Sequence, residues 1–365
     1  MRRAHLFPSF RGIRVHWDMN PIIARIGAIE LRWYGLLFAT GLLLCAWKAP
    51  HYFKLWGLPK HHAERLTLWV PIGMLLGAHY IHLIFYEWDG LFDLSIEVNS
   101  LWPLDVHLGR FWALGSGLAS HGGGLGCLLA LWIFWQRNGK QLGIAFHRYA
   151  DAVMMVAIWV FPWVRLGNFF NHELVGRVTE GPWAVQFTDW GRDATGAFVA
   201  RGYLEPRHPV VLYEAILYFA ELAFATLWFQ PRFARKLRPG ATFYLFLMIH
   251  FTLRFIAEFA KESQGVDDGW LLNMGHLLSL PIVLVCAYLI FGTKRFNILT
   301  PLTAEEKAKI DESARLAEEY DARLDAEKSG EPLPESAAKE EKPDAAAARA
   351  KARKKGKPNK GRADA

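Results

Sequence analysis

Seven stretches of the chain, at about residues 29–47, 66–86, 112–135, 152–171, 209–229, 241–260 and 270–292, are apolar over most of their length. A helix rises about 1.5 Å per residue, so roughly 20 apolar residues match the ~30 Å hydrocarbon layer of a bilayer. Within hydrocarbon the backbone must satisfy its own hydrogen bonds, and a run of this length does so as a helix. The pattern predicts an all-α, polytopic integral membrane protein with about seven transmembrane helices. The 16 Trp in 365 residues agree with it, because amphipathic rings gather at headgroup depth. No internal repeat stands out.

The connecting loops alternate in charge. Lys48, Lys54 and Lys60 follow the first run, Arg137, Lys140 and Arg148 the third, and Arg232, Arg235, Lys236 and Arg238 the fifth. Glu87, Asp89, Asp93, Glu97 and Asp105 follow the second, and Glu262, Asp267 and Asp268 the sixth. Lysine- and arginine-rich loops stay in the cytoplasm, which places the N-terminus outside and the C-terminus inside. The basic residues Arg2, Arg3, Arg11, Arg14 and Arg25 pull the other way and are outvoted by three basic loops. The net charge of +7 is then the mark of cytoplasmic loops rather than of a nucleic-acid partner. MRRAHLFPSFRG at the start lacks the apolar core and cleavage site of a signal peptide. Cys45, Cys127 and Cys286 lie inside apolar runs, with neither disulfide-framework nor metal-ligand spacing, and read as packing residues.

The expected division is an extracytoplasmic segment (1–28), a membrane domain (29–292) and a cytoplasmic charged tail (293–365). Within the membrane domain, residues 172–208 form the longest outer connection. Trp183, Trp190, Gly181, Gly191 and Pro182 suit a small folded extracytoplasmic cap. In the tail, residues 303–328 fit an amphipathic helix with Ile310, Ala317 and Leu324 at heptad spacing. Beyond Gly330 the Ala, Lys, Glu and Pro composition cannot bury a core and is expected to be disordered. Its basic end reads first as a solubilising tail and second as a contact for anionic lipid.

The most unusual stretch is VRLGNFFNHELVGR, residues 164–177, which follows AVMMVAIWVFPW without a break. Two arginines, two asparagines and a glutamate at the end of a spanning helix cost several kcal/mol each, roughly, unless paired or used. With the topology above, Tyr34, His121, Arg165, Asn168, Asn171, His208, Tyr213, Glu214, Arg254 and Glu258 all fall in the outer half of the membrane, and the inner halves are nearly bare. Each has a plainer reading. Arg254 and Glu258, four residues apart, can simply neutralise each other. His121 can be a hydrogen-bonded core histidine, and Gly122, Gly123, Gly124 and Gly126 can serve helix packing. His79, His82, His250 and His276 read as packing or interface residues. The 165–177 block resists such readings and points to a site for an anionic lipid headgroup, since arginine grips phosphate bidentately.

These motifs resemble those of the prolipoprotein diacylglyceryl transferase family. The 164–177 block is similar to its pattern Gly-Arg-x-x-Asn-Phe-x-Asn-x-Glu-x-x-Gly-Arg. RWYGL (32–36), SHGGGLG (120–126), RHPVVLYE (207–214), RFIAEF (254–259) and MGHLLSLP (274–281) resemble further family blocks in the same order. The resemblance covers about residues 20–292; the tail after about 300 has no counterpart. Val164 stands where the family often has glycine, Gly124 where leucine is expected, and His276 where glutamine is common.

The resemblance implies transfer of the diacylglyceryl group of phosphatidylglycerol to the lipobox cysteine of a prolipoprotein signal peptide, with release of glycerol 1-phosphate. It implies His121 as the base, and Arg165 and Arg254 as stabilisers of the leaving phosphate. Glu258 would hold Arg254, and Glu173 would hold Arg165 or Arg177. Asn168 and Tyr34 would orient the headgroup, Gly176 would permit a tight turn, and Gly122, Gly123, Asn171 and Tyr213 would complete the substrate site. No cofactor and no metal is expected, and the partners are phosphatidylglycerol, prolipoproteins and membrane lipids, with no nucleic acid. The implied location is the bacterial cytoplasmic membrane, with the site facing the periplasm. The main rival is a transporter or lipid flippase, which would carry polar groups through both halves of the membrane. An intramembrane protease is a weaker rival, since GSGLASH (115–121) offers no convincing Ser–His dyad.

Overall fold

Apolar runs of spanning length do become helices, and the polar segments between their ends on one side fold into small sheets. The computed structural model describes residues 15–27, 29–88, 97–99, 107–109, 120–194, 196–262 and 272–330. Three short strands come first: β1 (Val15–Trp17), β2 (Ile22–Ile26) and β3 (Ile29–Arg32). Helices α1 (Trp33–Leu55) and α2 (Lys60–Tyr86) come next, then strands β4 (Glu97–Asn99) and β5 (His107–Gly109). After these are α3 (Ser120–Phe134), α4 (Phe146–Ala157) and α5 (Phe161–Phe170), then the hairpin β6 (Val185–Arg192) and β7 (Phe198–Tyr203). The chain ends in α6 (Val210–Ala223), α7 (Gln230–Phe233), α8 (Ala241–Glu258), α9 (Met274–Ala287) and α10 (Ala304–Ser329).

By length and composition, five segments are able to cross a membrane: Lys60–Phe85, Phe146–Phe170, Val210–Phe233, Ala241–Glu258 and Met274–Gly292. Helices α1 and α3 stand where the other two spans were expected and are not among the five. Trp, Tyr, Thr and Lys dilute the apolar content of α1, and α3 opens on Ser, His and three glycines. The first expected span is also displaced: residues 29–32 are a strand, and the helix begins at Trp33 and runs on to Leu55. The first part of the 112–135 run lies outside the described residues. Between α4 and α5 the helix breaks and restarts where Pro162, lacking an amide donor, occupies the first turn.

Helices α2 and α3 approach through glycine. Gly73 and Gly77 on α2 face Gly122 and Gly126 on α3, and a Cβ added to Gly126 would lie 2.9 Å from the Cα of Gly77. Such small-residue spacing lets two backbones meet within apolar surroundings. At the other end of these helices an aromatic core forms from Tyr52, Phe53, Trp56, Phe134, Tyr149 and Phe246. His62 joins it, its Nδ1 2.7 Å from the Tyr149 hydroxyl. Asp151 accepts the amides of Gly240 and Phe243, each at 2.8 Å, and so caps the first turn of α8. Cys45, Cys127 and Cys286 are free thiols.

The cap is β-structured. β6 pairs antiparallel with β7 and parallel with β1, so residues 15–17 of the N-terminal segment belong to the same sheet as the 185–203 hairpin. The β2–β3 hairpin leads straight into α1. Glu30 ties hairpin to cap: it accepts from Arg32 at 2.8 Å and from Arg192 at 3.1 Å.

The helix expected at 303–328 forms as α10, and the disorder expected beyond Gly330 lies outside the described residues. α10 docks on the end of the bundle opposite the cap. Thr303 and Glu306 close a capping box at its start, and the Glu306 carboxylate takes Arg238 at 2.8 and 3.1 Å. Ile310, Ala314 and Ala317 are buried, with Ala314 against Gly57, where a positive φ of 69° turns α1 into α2. At the far end Asp321 accepts the Lys60 amide at 2.7 Å, and Asp325 pairs with Lys60 and His61 at 2.8 and 2.9 Å.

Two outcomes test this architecture. Gly77→Leu is expected to force α2 and α3 apart and cost about 1–3 kcal/mol of stability, whereas Gly124→Ala, whose added Cβ meets nothing within 4 Å, is expected to be neutral. Thermal unfolding in detergent measures both. Glu30 is held below the ordinary carboxylate value of 4.5, first by the hydrogen bond from Arg32. Its contribution is therefore present above that pH and lost as pH falls through the lowered value. Glu30→Gln should flatten the acid limb of cap stability, measured by protease sensitivity of the 185–203 hairpin.

Candidate functional site

At the cap end of the bundle, α5 delivers Arg165 and Asn168 from an apolar helix, and neither can leave its charge or amide unsatisfied there. The Arg165 Nε lies 3.1 Å from Glu214 Oε2, reached from the first turns of α6, and the Glu214 side chain is fully buried. The guanidinium sits 5.9 Å from the Tyr218 ring, one turn further along α6. On its own helix Arg165 reaches Asn168 Oδ1 at 3.5 Å.

Past α5 the chain reverses sharply. His172 and Leu174 adopt left-handed backbone, with φ of 57° and 56°, a conformation costly for residues with a Cβ. This turn swings Glu173 back so that it accepts from Asn168 at 3.1 Å and from Asn171 at 2.9 Å. Gly176 is a crossing point rather than the turn expected from sequence. Its amide donates to His208 O at 3.0 Å, and any Cβ there would meet Val210, His208 O and Ala260 O. Arg177 then donates from Nε to Lys261 O at 3.1 Å, stitching this strand to the end of α8.

The end of α8 supplies a second group of charges. The Arg254–Glu258 pair expected from their i, i+4 spacing does not form. Glu258 points at α9, where it fills the space above Gly275, and its ion partner is Lys261 at 3.6 Å. Arg254 makes no ion pair or hydrogen bond with another described residue, yet it lies within electrostatic reach of His121, Tyr218 and Lys261. Lys261 is buried, and burial pulls its ammonium below the usual lysine range, opposed by Glu214 and Glu258.

Arg165 also acts on both Tyr218 and Lys261, so the two arginines share neighbours. Tyr34, in the first turn of α1, packs its ring on Gly167 and lies within electrostatic reach of Arg165 and Glu173. His121 is exposed, in the first turn of α3.

The structure thus brings together Tyr34, His121, Arg165, Asn168, Asn171, Glu173 and Arg254, with Arg177 and Glu258 alongside. Gly122 packs on Gly77 and Ile81, and Gly123 faces Met74, so helix packing accounts for both. Tyr213 belongs to a separate group at the base of the cap, its hydroxyl 3.3 Å from His208 Nδ1, which accepts from Trp183. Glu173, expected to hold an arginine, holds two asparagines instead. Sequence reasoning left Glu214 and Tyr218 without a role and missed Lys261. A carboxylate inside an apolar helix was the available signal for Glu214. The same signal marked Glu221, whose Oε2 is 3.0 Å from His250 Nδ1 within the bundle, between α6 and α8. That buried pair sits at mid-span, near the centres of Val210–Phe233 and Ala241–Glu258.

A model of the prolipoprotein diacylglyceryl transferase family matches residues 21–292. The chain belongs to this family. It is 34% identical over 294 residues to the phosphatidylglycerol–prolipoprotein diacylglyceryl transferase of Tolumonas auensis, covering 80% of this chain and 99% of that protein. The enzyme of the same name from Bacteroides fragilis is 33% identical over 291 residues, 76% of this chain and 95% of its own length. That of Pseudomonas aeruginosa is 30% identical over 296 residues, 79% and 98%. The match contains every arginine, asparagine and glutamate of the cluster, and α10 lies beyond its last residue.

The Arg165–Glu214 pair makes the site testable as a structure. Removing one partner of a buried ion pair costs about 3–5 kcal/mol, because the other charge is left uncompensated. Glu214→Ala is expected to lower the unfolding midpoint in detergent, and Glu214→Gln, which keeps the shape and an acceptor, to lower it less. Equal midpoints for all three proteins would remove Glu214 as the counter-charge.

Proposed function

We propose that the chain transfers the diacylglyceryl group of phosphatidylglycerol to the lipobox cysteine of prolipoproteins, forming a thioether and releasing glycerol 1-phosphate. Family membership supports a transferase, and the observation that carries the site assignment is Arg165 at the cap end, 3.1 Å from Glu214, 3.5 Å from Asn168 and 5.9 Å from the Tyr218 ring, with Arg254 of α8 within electrostatic reach of the same Tyr218. The transporter or flippase alternative draws no support from the relatives.

The chemistry derives from the groups present. A cysteine thiol has an ordinary pKa of about 8.5, and only its thiolate is a good nucleophile. His121, exposed at the mouth of the cluster, takes the thiol proton. The thiolate attacks the glycerol carbon that carries the phosphate ester, the C–O bond breaks, and its electrons pass to the phosphate oxygen. Arg254 and Arg165 stabilise that developing charge, and positioned cations or donors of this kind contribute about 10²–10³-fold each. Asn168, oriented by Glu173, and Tyr34 place the headgroup. Arg177 and Gly176 hold the strand that closes the site beside Lys261.

In this reading α1 and α3 are two further spans, making seven, and the protein lies in a bacterial cytoplasmic membrane. The cap and the site face the periplasm, the C-terminus faces the cytoplasm, and the partner is a signal peptide bearing a lipobox cysteine. The membrane domain is 29–292, the N-terminal segment is extracytoplasmic, and the tail is cytoplasmic.

Thioether transfer to a lipobox peptide in proteoliposomes containing phosphatidylglycerol tests the assignment. Arg165→Ala and Arg254→Ala are each expected to reduce turnover by about 10²-fold or more. Near-normal turnover in either would overturn its role at the phosphate. His121→Asn should lose activity and regain part of it as pH rises toward the thiol's own ionisation; full activity at neutral pH would exclude it as the base.

A further inference from the structure

The turn after α5 contains a residue that the chemistry above does not use. His172 sits between Asn171 and Glu173, at a position that the family's pattern leaves open. Its φ is 57°, where glycine is at ease and a side chain is costly. Strain of this kind persists only where the surroundings fix it.

Those surroundings come from the N-terminal segment and the cap. His172 Nε2 lies 2.8 Å from the carbonyl oxygen of Met19. A carbonyl only accepts, so Nε2 carries the ring proton and donates it. Nδ1 is buried, with no hydrogen-bond partner among the described residues. The ring stands edge-on to Phe187 and Trp190 of β6, at 6.0 and 6.2 Å, and 6.4 Å from Trp17 of β1. Trp17 packs in turn on Phe169, near the end of α5, at 4.5 Å. Burial lowers the His172 pKa, opposed by the Met19 carbonyl and Asp18, so the ring is neutral near pH 7. Trp17 and Met19 both precede residue 21, where the family match begins.

The next residue is Glu173, which accepts from Asn168 at 3.1 Å, and Asn168 Oδ1 in turn lies 3.5 Å from Arg165. Released from Met19, the backbone at 172 relaxes toward negative φ, and the carboxylate one residue on turns with it. We propose that His172 is a positioning residue for the headgroup site: by donating to Met19 it ties the N-terminal segment to the turn after α5, and so keeps Glu173 on Asn168 and Asn168 beside Arg165. This rests on the proposed function only in reading Asn168 and Arg165 as the site for the phosphatidylglycerol headgroup. A histidine that merely packs would stabilise the cap and leave lipid recognition unchanged.

Three substitutions in the full chain separate these roles. His172→Gly removes the ring and the strain together. His172→Asn tolerates left-handed backbone but is too short to reach Met19. His172→Gln puts an amide N–H where Nε2 stands. In detergent–lipid mixed micelles with a lipobox peptide, the Gly and Asn variants are expected to raise the KM for phosphatidylglycerol about tenfold or more and to leave the KM for the peptide unchanged. The Gln variant should return the lipid KM toward the parent value. If His172 acts through Glu173, the two effects are not additive, and His172→Gly with Glu173→Gln should be no worse than Glu173→Gln alone.

An unchanged lipid KM in the Gly and Asn variants would overturn the proposal, even where their unfolding midpoints fall. Additive losses in the double variant would overturn the route through Glu173, and no recovery in the Gln variant would overturn the bond to Met19. Nitrogen NMR of the histidine-labelled full chain gives a readout apart from activity. The signal lost in His172→Gln should be the Nε2-protonated tautomer near pH 7, and an Nδ1-protonated ring would overturn the clasp. A parent protein that transfers nothing from phosphatidylglycerol would sink the proposed function, with the tautomer still reporting the clasp. A parent that transfers normally beside variants that match it would sink the clasp alone.

Discussion

A guanidinium inside an apolar bundle is tolerable only with a counter-charge and donors satisfied around it, and the Arg165–Glu214 contact at 3.1 Å is where this chain meets that demand. Much of the surrounding structure can be derived from it. Glu214 must come from another helix, so α5 and α6 must pack at their cap ends. Asn168 must stay beside Arg165, so the chain leaving α5 must fold back to orient it. The left-handed residues His172 and Leu174 are the consequence, since they turn Glu173 onto Asn168 and Asn171. Strain in that turn is offset by two hydrogen bonds, one of them from the buried Asn168 amide that would otherwise lack an acceptor.

The fold was legible in the sequence wherever a one-dimensional pattern decides it. Apolar length located the helices, and the density of polar groups at 165–177 located the cluster. What the sequence hid was set by contacts between distant segments. The spacing of Arg254 and Glu258 satisfies the rule for a helical ion pair, yet Gly275 on α9 leaves a hollow that Glu258 enters, and Lys261 takes its charge. Local spacing states which groups are able to meet; packing against a third helix decides whether they do. The glycines of α3 illustrate the same limit. Read alone, Gly122 and Gly123 suggest a backbone open to a ligand, and only the matching Gly73 and Gly77 on α2 show that the gap is filled by a neighbouring helix.

The strands were invisible for a different reason. β1 and β3 have three and four residues, too few for alternation to register, and β1 finds its partner about 170 positions away in β6. α10 was legible as a helix through its heptad spacing, but its docking was not. That docking rests on Arg238 and Lys60, which sequence reading placed in the basic loops between spans, and on His61, to which it gave no role.

The two arginines of the cluster are unequal, and this is a consequence of their partners. Arg165 is neutralised by a fully buried carboxylate before any ligand arrives, so much of its field is already spent on Glu214. Arg254, with Glu258 turned away toward Lys261, has no ion pair among the described residues and keeps its charge for whatever enters. An interaction accelerates a reaction only to the extent that it strengthens between ground state and transition state. In the proposed reaction, negative charge growing on a departing phosphate would therefore gain most from the cation with no ion pair among the described residues. In the proposed reaction Arg165, fixed by Glu214 and Asn168, would chiefly set where the phosphate sits, and Arg254 would chiefly stabilise what it becomes. On that proposal Glu258 would contribute in a way its spacing did not suggest: by pairing with Lys261 it leaves Arg254 without a carboxylate partner among the described residues.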